Sequence, residues 1–154
     1  MYSKTIFRID SNNMAKSKAN TTEEYEDMNM ITEYFARTIE YQDKYGPQTM
    51  VLMQCGTFYE VYAYQDPENP EPHTYKGGPI YDFSQICRMA ISTKTNVKYK
   101  GQCVYMAGFQ HYQIDKHVQT LIQNQYTVVE IIQEDEMQTN GKKKIRRVKG
   151  IYSL

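Results

Sequence analysis

The chain has 154 residues, a mass of 18.2 kDa and equal numbers of acidic and basic side chains, which suits one ordinary domain with its own core. Because the net charge is zero, bulk electrostatics favours no class of partner. Mean hydropathy is −0.72 and the longest strongly apolar run, residues 50–53, is too short to cross a membrane. The three cysteines form no C-x-x-C pair, which favours a reduced intracellular chain.

The neutral total conceals a segregation of charge along the chain. Residues 22–72 are strongly acidic, with Arg37 and Lys44 as their only basic side chains, and residues 142–149 are strongly basic. A bipolar molecule of this kind could turn a basic face to a polyanion. Scattered, solvated charge would explain the same pattern, so charge alone does not identify a partner.

The N-terminal part of the chain divides into an arm and a helix. Residues 1–21 are rich in Ser, Asn and Lys without a sustained period, which predicts a flexible arm. The spacing of Thr21 and Glu24 is that of a capping box, and an apolar face then continues as far as the stop at Gly46-Pro47. We therefore predict a single domain over residues 22–154.

The rest of the chain alternates short strands with two further helices. A short helix capped by Asp82 and a longer one over residues 113–124 are predicted, with a proline-rich loop at 65–79 and a polar turn at 138–143. This order predicts an α/β domain whose mixed β-sheet of about six strands is flanked by about three helices. The predicted strands lie at residues 50–53, 58–64, 90–95, 102–107, 127–133 and 145–152.

Catalytic arrangements are missing from the sequence. It has no glycine-rich phosphate loop, and His73, His111 and His117 do not have the spacing of zinc ligands. Cys55 has no His or Asp near it in the sequence, so a buried core cysteine is the simpler interpretation. The acids of residues 130–136 suit a strand end as well as a metal site. We predict that this domain is not an enzyme and has no cofactor or metal of its own.

The most informative segment is Gly56-Thr57-Phe58-Tyr59-Glu60, which follows an apolar strand. On a strand, Phe58 and Glu60 project from the same face. The segment resembles the G-D-F-Y-E motif of the MutS family of DNA mismatch-repair proteins, with Thr57 in place of the usual Asp. Further segments resemble that family in the same order: residues 90–94 its I-S-L-T-K strand, 105–109 its P-M-A-G-I segment, 126–133 its V-A-I-C-E-Q strand and 146–148 its R-K-V-V-R strand.

The resemblance implies a function for the Phe-Tyr-Glu segment. It implies an N-terminal mismatch-recognition domain in which Phe58 is a wedge that enters the minor groove at a mispaired or unpaired base. Glu60 would hydrogen-bond the exposed base edge, and Met106 and Gly108 would lie along the groove beside Phe58. We expect the phosphate contacts to come first from Lys94, Lys98 and Lys100, and second from Arg146 and Arg147.

The resemblance also implies the surroundings of the domain. The partner would be double-stranded DNA with mismatches or small loops, inside the cell, with no membrane involved. ATP, Mg²⁺ and dimerisation would belong to the full-length relative, an ATPase, and not to this domain.

Two other functions stay open at this point. The same fold could serve as a protein-interaction or scaffolding domain that binds partners through a tyrosine-rich surface, since 15 of the residues are tyrosines. A nuclease is a third reading, although the acids have no lysine partner at a strand-like spacing.

Overall fold

The computed structural model describes residues 22–69, 71 and 74–154. The arm expected at residues 1–21, and Thr21 of the expected capping box, lie outside the described residues. Within them, a seven-stranded mixed sheet packs against three α-helices. The fold class expected from the sequence is therefore confirmed, with one strand more than expected.

The helices are α1 (Thr22–Tyr45), α2 (Ile80–Cys87) and α3 (Ile114–Gln123), the last preceded by a 3₁₀ turn at His111–Gln113. Helix α1 ends at Gly46, whose φ of +103° suits glycine and whose N–H donates to the carbonyl of Gln42 at 2.8 Å. No helix in the described part of the chain is both long and apolar enough to span a membrane.

The predicted cap of α2 is wrong. Pro79 precedes the first helical residue and its carbonyl accepts from the N–H of Phe83 at 3.0 Å, whereas Asp82 lies within the first turn. Proline suits this place because its φ is already fixed and it has no N–H to satisfy. The Asp82 carboxylate accepts a hydrogen bond from the Tyr126 hydroxyl, which ties α2 to the segment that follows α3.

Each predicted strand is present, and several are longer than predicted. A short strand lies inside the predicted proline-rich loop, and the predicted turn at 138–143 shrinks to residues 139 and 140. The strands are β1 (Thr49–Cys55), β2 (Phe58–Gln65), β3 (Tyr75–Gly77), β4 (Ser92–Tyr99), β5 (Gln102–Gln110), β6 (Thr127–Gln138) and β7 (Gly141–Tyr152).

The strands are ordered β4-β5-β2-β1-β6-β7, and β3 pairs with the distal half of β2. Strands β1 and β6 run parallel at the centre of the sheet, and the other neighbours are antiparallel. Strands β1 and β2 form a hairpin through Gly56, as predicted. The Phe-Tyr-Glu segment thus begins a central strand that has a partner on each edge.

The helices cover opposite faces of the sheet. On one face, called here the α1 face, Tyr34 packs edge-to-face on Tyr62 with ring centroids 5.0 Å apart. On the other face Phe109 packs against Phe83 of α2 and His117 of α3. The central strands are therefore buried on both faces, whereas the outer strands β4 and β7 stay largely exposed.

Candidate nucleic-acid interface

Phe58 is the first residue of β2, directly after the turn at Gly56. It pairs with Cys55 on β1 and Gln110 on β5. Its side chain is 40% exposed, although the residues that follow it on β2 are buried. Since large aromatic side chains gain free energy by leaving water, an exposed phenyl ring on a well-anchored strand is a candidate contact.

Glu60 lies on the same face as Phe58, as the period of the strand predicts, but it is covered. Only 7% of the residue is exposed, and its carboxylate accepts a hydrogen bond from the hydroxyl of Tyr62. Burial, followed by the negative charge of Glu60, raises the pKa of Tyr62 well above its ordinary value. The Tyr62 hydroxyl therefore keeps its proton and remains a donor to Glu60.

Gly108 lies opposite Glu60 on β5. A Cβ atom at Gly108 would come within 2.4 Å of the Tyr59 carbonyl oxygen and 3.0 Å of the Glu60 Cγ. Glycine is therefore needed here so that Glu60 can lie across the neighbouring strand. Met106, opposite Tyr62, is half-buried against the core, so the structure places Gly108 directly beside Glu60 and Met106 two residues further from Phe58 along β5.

Lys94 pairs with Val104 on β5, one residue from the partner of Lys98, and its side chain extends to Tyr62, two residues beyond Glu60. Its Nζ lies over the Tyr62 ring, 6.0 Å from the centroid. Its positive charge also acts on the thiol of Cys55, where it opposes burial and the charge of Glu60, which together raise the pKa of Cys55. Cys55, Glu60, Tyr62 and Lys94 form one group, called here the Glu60 cluster.

Lys98 and Lys100 lie far from Phe58. The pairing places Phe58 opposite Gln110 at one end of β5, and Lys98 opposite Cys103 near the other end. Eight residues of strand separate the two ends of β5, or about 26 Å. Lys100 lies in the turn at that distal end, with its Nζ 5.6 Å from the centre of the Tyr99 ring.

Arg146 and Arg147 are engaged in ion pairs. Arg146 Nη1 lies 3.3 Å from Glu33 on α1, and 11% of its side chain is exposed. Arg147 donates two hydrogen bonds to Glu134, at 3.0 and 2.8 Å, and holds the pKa of that carboxyl below its usual range. Both arginines therefore have protein partners, and the acidic helix α1 packs beside the basic strand β7.

A buried group that the sequence analysis missed anchors β2 from the face of the sheet opposite Phe58 and Glu60. The carboxylate of Glu130 is buried and accepts hydrogen bonds from Tyr59 at 2.5 Å and Tyr152 at 2.9 Å. Burial, then the bond to Glu130, raises the pKa of Tyr59, so this hydroxyl stays a donor. The signal was available, since Glu130 interrupts an otherwise apolar strand.

A second exposed ring lies at the same end of the sheet as Phe58. The N–H of His111 donates to the carbonyl of Thr57 at 2.7 Å, which holds the 3₁₀ turn against the β1–β2 turn. Tyr112 follows and is 68% exposed. Phe58 and Tyr112, with Thr57 and His111 between them, are called here the wedge end of the sheet.

Among residues 22–69, 71 and 74–154, no three His, Cys, Asp or Glu side chains come together as a metal site would require. Comparison with protein-family models finds no match for this chain, and comparison with curated proteins finds none either.

Proposed function

We propose that this domain recognises mismatches in double-stranded DNA by inserting Phe58 from the minor groove at mispaired or unpaired bases. The observation that carries the proposal is the exposed ring of Phe58 at the start of a central, doubly paired strand, with a carboxylate on the same face. The motif resemblance supports the same reading.

The physics of the duplex favours such a wedge. A mispaired step is easier to unstack and bend than a paired one, so an inserted ring meets a lower deformation energy there. The ring also leaves water when it stacks between bases. The free energy of binding would thus depend on local deformability and not on a base sequence.

The strand that carries an inserted ring must be rigid enough to keep its position when the ring separates two stacked bases. Strand β2 has β1 on one edge and β5 on the other at the level of Phe58. The next residue, Tyr59, is held from the opposite face by Glu130. These contacts support a rigid base for the exposed ring.

In this proposal Lys94 is the first phosphate contact, because its ammonium group lies over Tyr62, two residues beyond Glu60 on β2. Lys98 and Lys100 would contact the duplex only at a distance from the wedge. The partners of Arg146 and Arg147 within the protein make them weaker candidates for DNA contact. ATP, Mg²⁺, dimerisation and an intracellular location at DNA are proposed for the full-length protein on the resemblance alone.

The test is fluorescence anisotropy at low salt with a duplex that carries one G·T mismatch and with its matched twin. The wild-type chain should prefer the mismatch, and Phe58→Ala should abolish the preference. Tyr81→Ala is the matched control, since Tyr81 is also 40% exposed but lies on α2, on the other face of the sheet. Equal, salt-sensitive binding of both duplexes, unaffected by Phe58→Ala, would contradict the proposal.

A protein-interaction domain is the second candidate, and one observation favours it. Glu60 is covered and bonded to Tyr62, so the wedge end presents exposed aromatic rings without an exposed acid between them. Such a surface suits a protein partner as well as a base stack. Failure of the folded chain to bind either duplex, even at high concentration, would favour this candidate.

A further inference from the structure

The covered position of Glu60 bears on how it would meet a base. We infer that Tyr62 is a specificity-determining residue, whose hydroxyl withholds Glu60 from DNA until a base contact replaces the Tyr62–Glu60 hydrogen bond. This inference builds on the proposed function, because it concerns the same recognition site. Tyr62 itself would touch no DNA.

Tyr62 cannot follow Glu60 when Glu60 moves. It is fully buried, and its ring is held edge-to-face by Tyr34 with an interplanar angle of 88°. Its hydroxyl lies 3.8 Å from the Met30 sulfur on the same helix. The donor is therefore fixed by α1, and a carboxylate that turns towards DNA must give up this hydrogen bond.

The side chain of Glu60 has room to rotate on the side that faces β5. On β5 the residue opposite is Gly108, which has no side chain to hold the carboxylate in place. Glu60 also lies one strand period from Phe58, so a ring inserted in a duplex would bring a base edge close to the carboxylate. The path from Tyr62 to a base is thus a short rotation of one side chain.

The exchange of a Tyr62 hydrogen bond for a base contact explains how the Glu60 carboxylate could distinguish a mismatched duplex from a matched one. A matched duplex offers no open base edge, so turning towards it would cost Glu60 the Tyr62 bond without a replacement, and Glu60 stays bonded to Tyr62. A mismatch offers a partner, and one hydrogen bond is exchanged for another. A site whose polar group would be left unpaired by the wrong ligand rejects that ligand strongly.

The first test compares affinities for the mismatched duplex. Tyr62→Phe should bind it about tenfold more tightly than wild type, since hydrogen bonds to charged groups contribute at least this much. In a Glu60→Ala background the same substitution should have no effect. The matched control is Tyr34→Phe, which removes a buried hydroxyl from the same face that donates to the Val51 carbonyl at 2.8 Å. Unchanged or weaker binding by Tyr62→Phe, with mismatch preference intact, would overturn the inference.

The second test needs no variant that could fail to fold. A buried, hydrogen-bonded tyrosine hydroxyl proton exchanges slowly enough to be followed by NMR, and its contacts with Met30 and Tyr34 assign it. The Tyr62 hydroxyl resonance should shift or broaden when the wild-type chain is saturated with mismatched duplex, and stay in place with matched duplex. A resonance that stays in place in both complexes would overturn the inference.

The two proposals fail in different ways. Loss of mismatch preference in the wild-type chain would overturn the proposed function, and the role of Tyr62 with it. A preference that depends on Phe58, together with an undisturbed Tyr62 hydroxyl, would leave the wedge and remove only the role of Tyr62.

Discussion

Phe58, Tyr59 and Glu60 are consecutive on β2 and have different surroundings. Phe58 is exposed, Tyr59 is bonded to Glu130 on one face, and Glu60 is covered beside Tyr62 on the other. Successive side chains of a strand alternate between faces, so each face can hold one of them. The exposed ring therefore begins a strand that is fixed by a buried hydrogen bond on each side of the sheet.

Gly108 gives a prediction at this scale. Gly108→Ala places a Cβ within 2.4 Å of the Tyr59 carbonyl oxygen, so β2 and β5 must move apart. We expect the free energy of unfolding to fall by about 2 kcal/mol, in the range found for overpacked sites, and mismatch preference to fall with it. Urea unfolding followed by circular dichroism measures the first effect.

The control for this substitution is Gly101→Asn in the β4–β5 turn. Gly101 has a φ of +76°, which asparagine tolerates, and nothing lies within 4 Å of its added Cβ. This variant should unfold close to wild type. If Gly108→Ala were equally harmless, close packing of Glu60 on Gly108 would not be what requires a glycine there.

For single residues, the sequence predicts which face of the sheet a side chain lies on better than it predicts which residues the side chain contacts. The common face of Phe58 and Glu60 follows from the two-residue period alone. The bond between Glu60 and Tyr62 does not, because it depends on α1 covering that part of the sheet. Glu130 was placed in a strand correctly, but its two tyrosine donors come from distant parts of the chain.

The β6–β7 hairpin shows how whole elements are held together. Arg147 pairs with Glu134 inside the hairpin, whereas Arg146, its neighbour, turns to the other face and pairs with Glu33 on α1. One arginine thus lies on the surface of the hairpin and the other joins the hairpin to the helix. The hairpin is thus joined to α1 by Arg146, a residue that the sequence alone had assigned to DNA, and by the ion pair of Lys144 with Glu26.

Substitution of the two arginines should therefore have unequal effects. Arg146→Ala leaves Glu33 without this partner in a partly buried place, and we expect it to lower the free energy of unfolding by about 1–2 kcal/mol. Arg147→Ala should change stability little, since the pair it breaks is exposed. Chemical denaturation of both variants checks this.

The same two variants address the DNA contact. Neither should alter mismatch preference once the protein is folded, because both arginines already have partners. A marked loss of duplex affinity by Arg147→Ala, with stability unchanged, would instead support the phosphate contact first predicted from the sequence.

Strand positions were predictable and strand lengths were not. The apolar alternation gives the core of each strand, but residues 134–138 and 141–144 are polar apart from Met137 and carry no such alternation. They extend β6 and β7 because cross-strand neighbours there have opposite charge, as with Glu136 and Lys143. Strand β3, three residues long, has too few positions to show a period.

At the scale of the whole molecule, the burial of thiol and phenol groups makes the stability of the fold depend on pH in the alkaline range. Burial raises the pKa of Cys87 from its ordinary value of 9.0 to about 12. Burial also raises the pKa of Tyr34 and Tyr62 above 10.0. These groups keep their protons in the folded state at a pH where the unfolded chain has released them, so stability is lost as pH rises.

We therefore expect the contribution of these groups to the free energy of unfolding to be constant near neutral pH and to decline above about pH 9. Each group contributes about 1.4 kcal/mol per pH unit between its unfolded and folded pKa. Urea unfolding at a series of pH values measures the decline. Cys87→Ala should reduce the part that begins first, to which the raised pKa of Cys55 also contributes, and a free energy that stayed constant as far as pH 11 would contradict the account.

The parallel pairing of β1 with β6 has a consequence for the time course of folding. The hairpins β1–β2, β4–β5 and β6–β7 join segments that are adjacent along the chain and can form quickly. The β1–β6 seam joins Val51 to Val129 and must close a long loop, which slows its formation. Glu130 reaches Tyr59 only when β6 has paired with β1. The β1–β2 turn that carries Phe58 therefore forms early, but the hydrogen bond that fixes the next residue forms late.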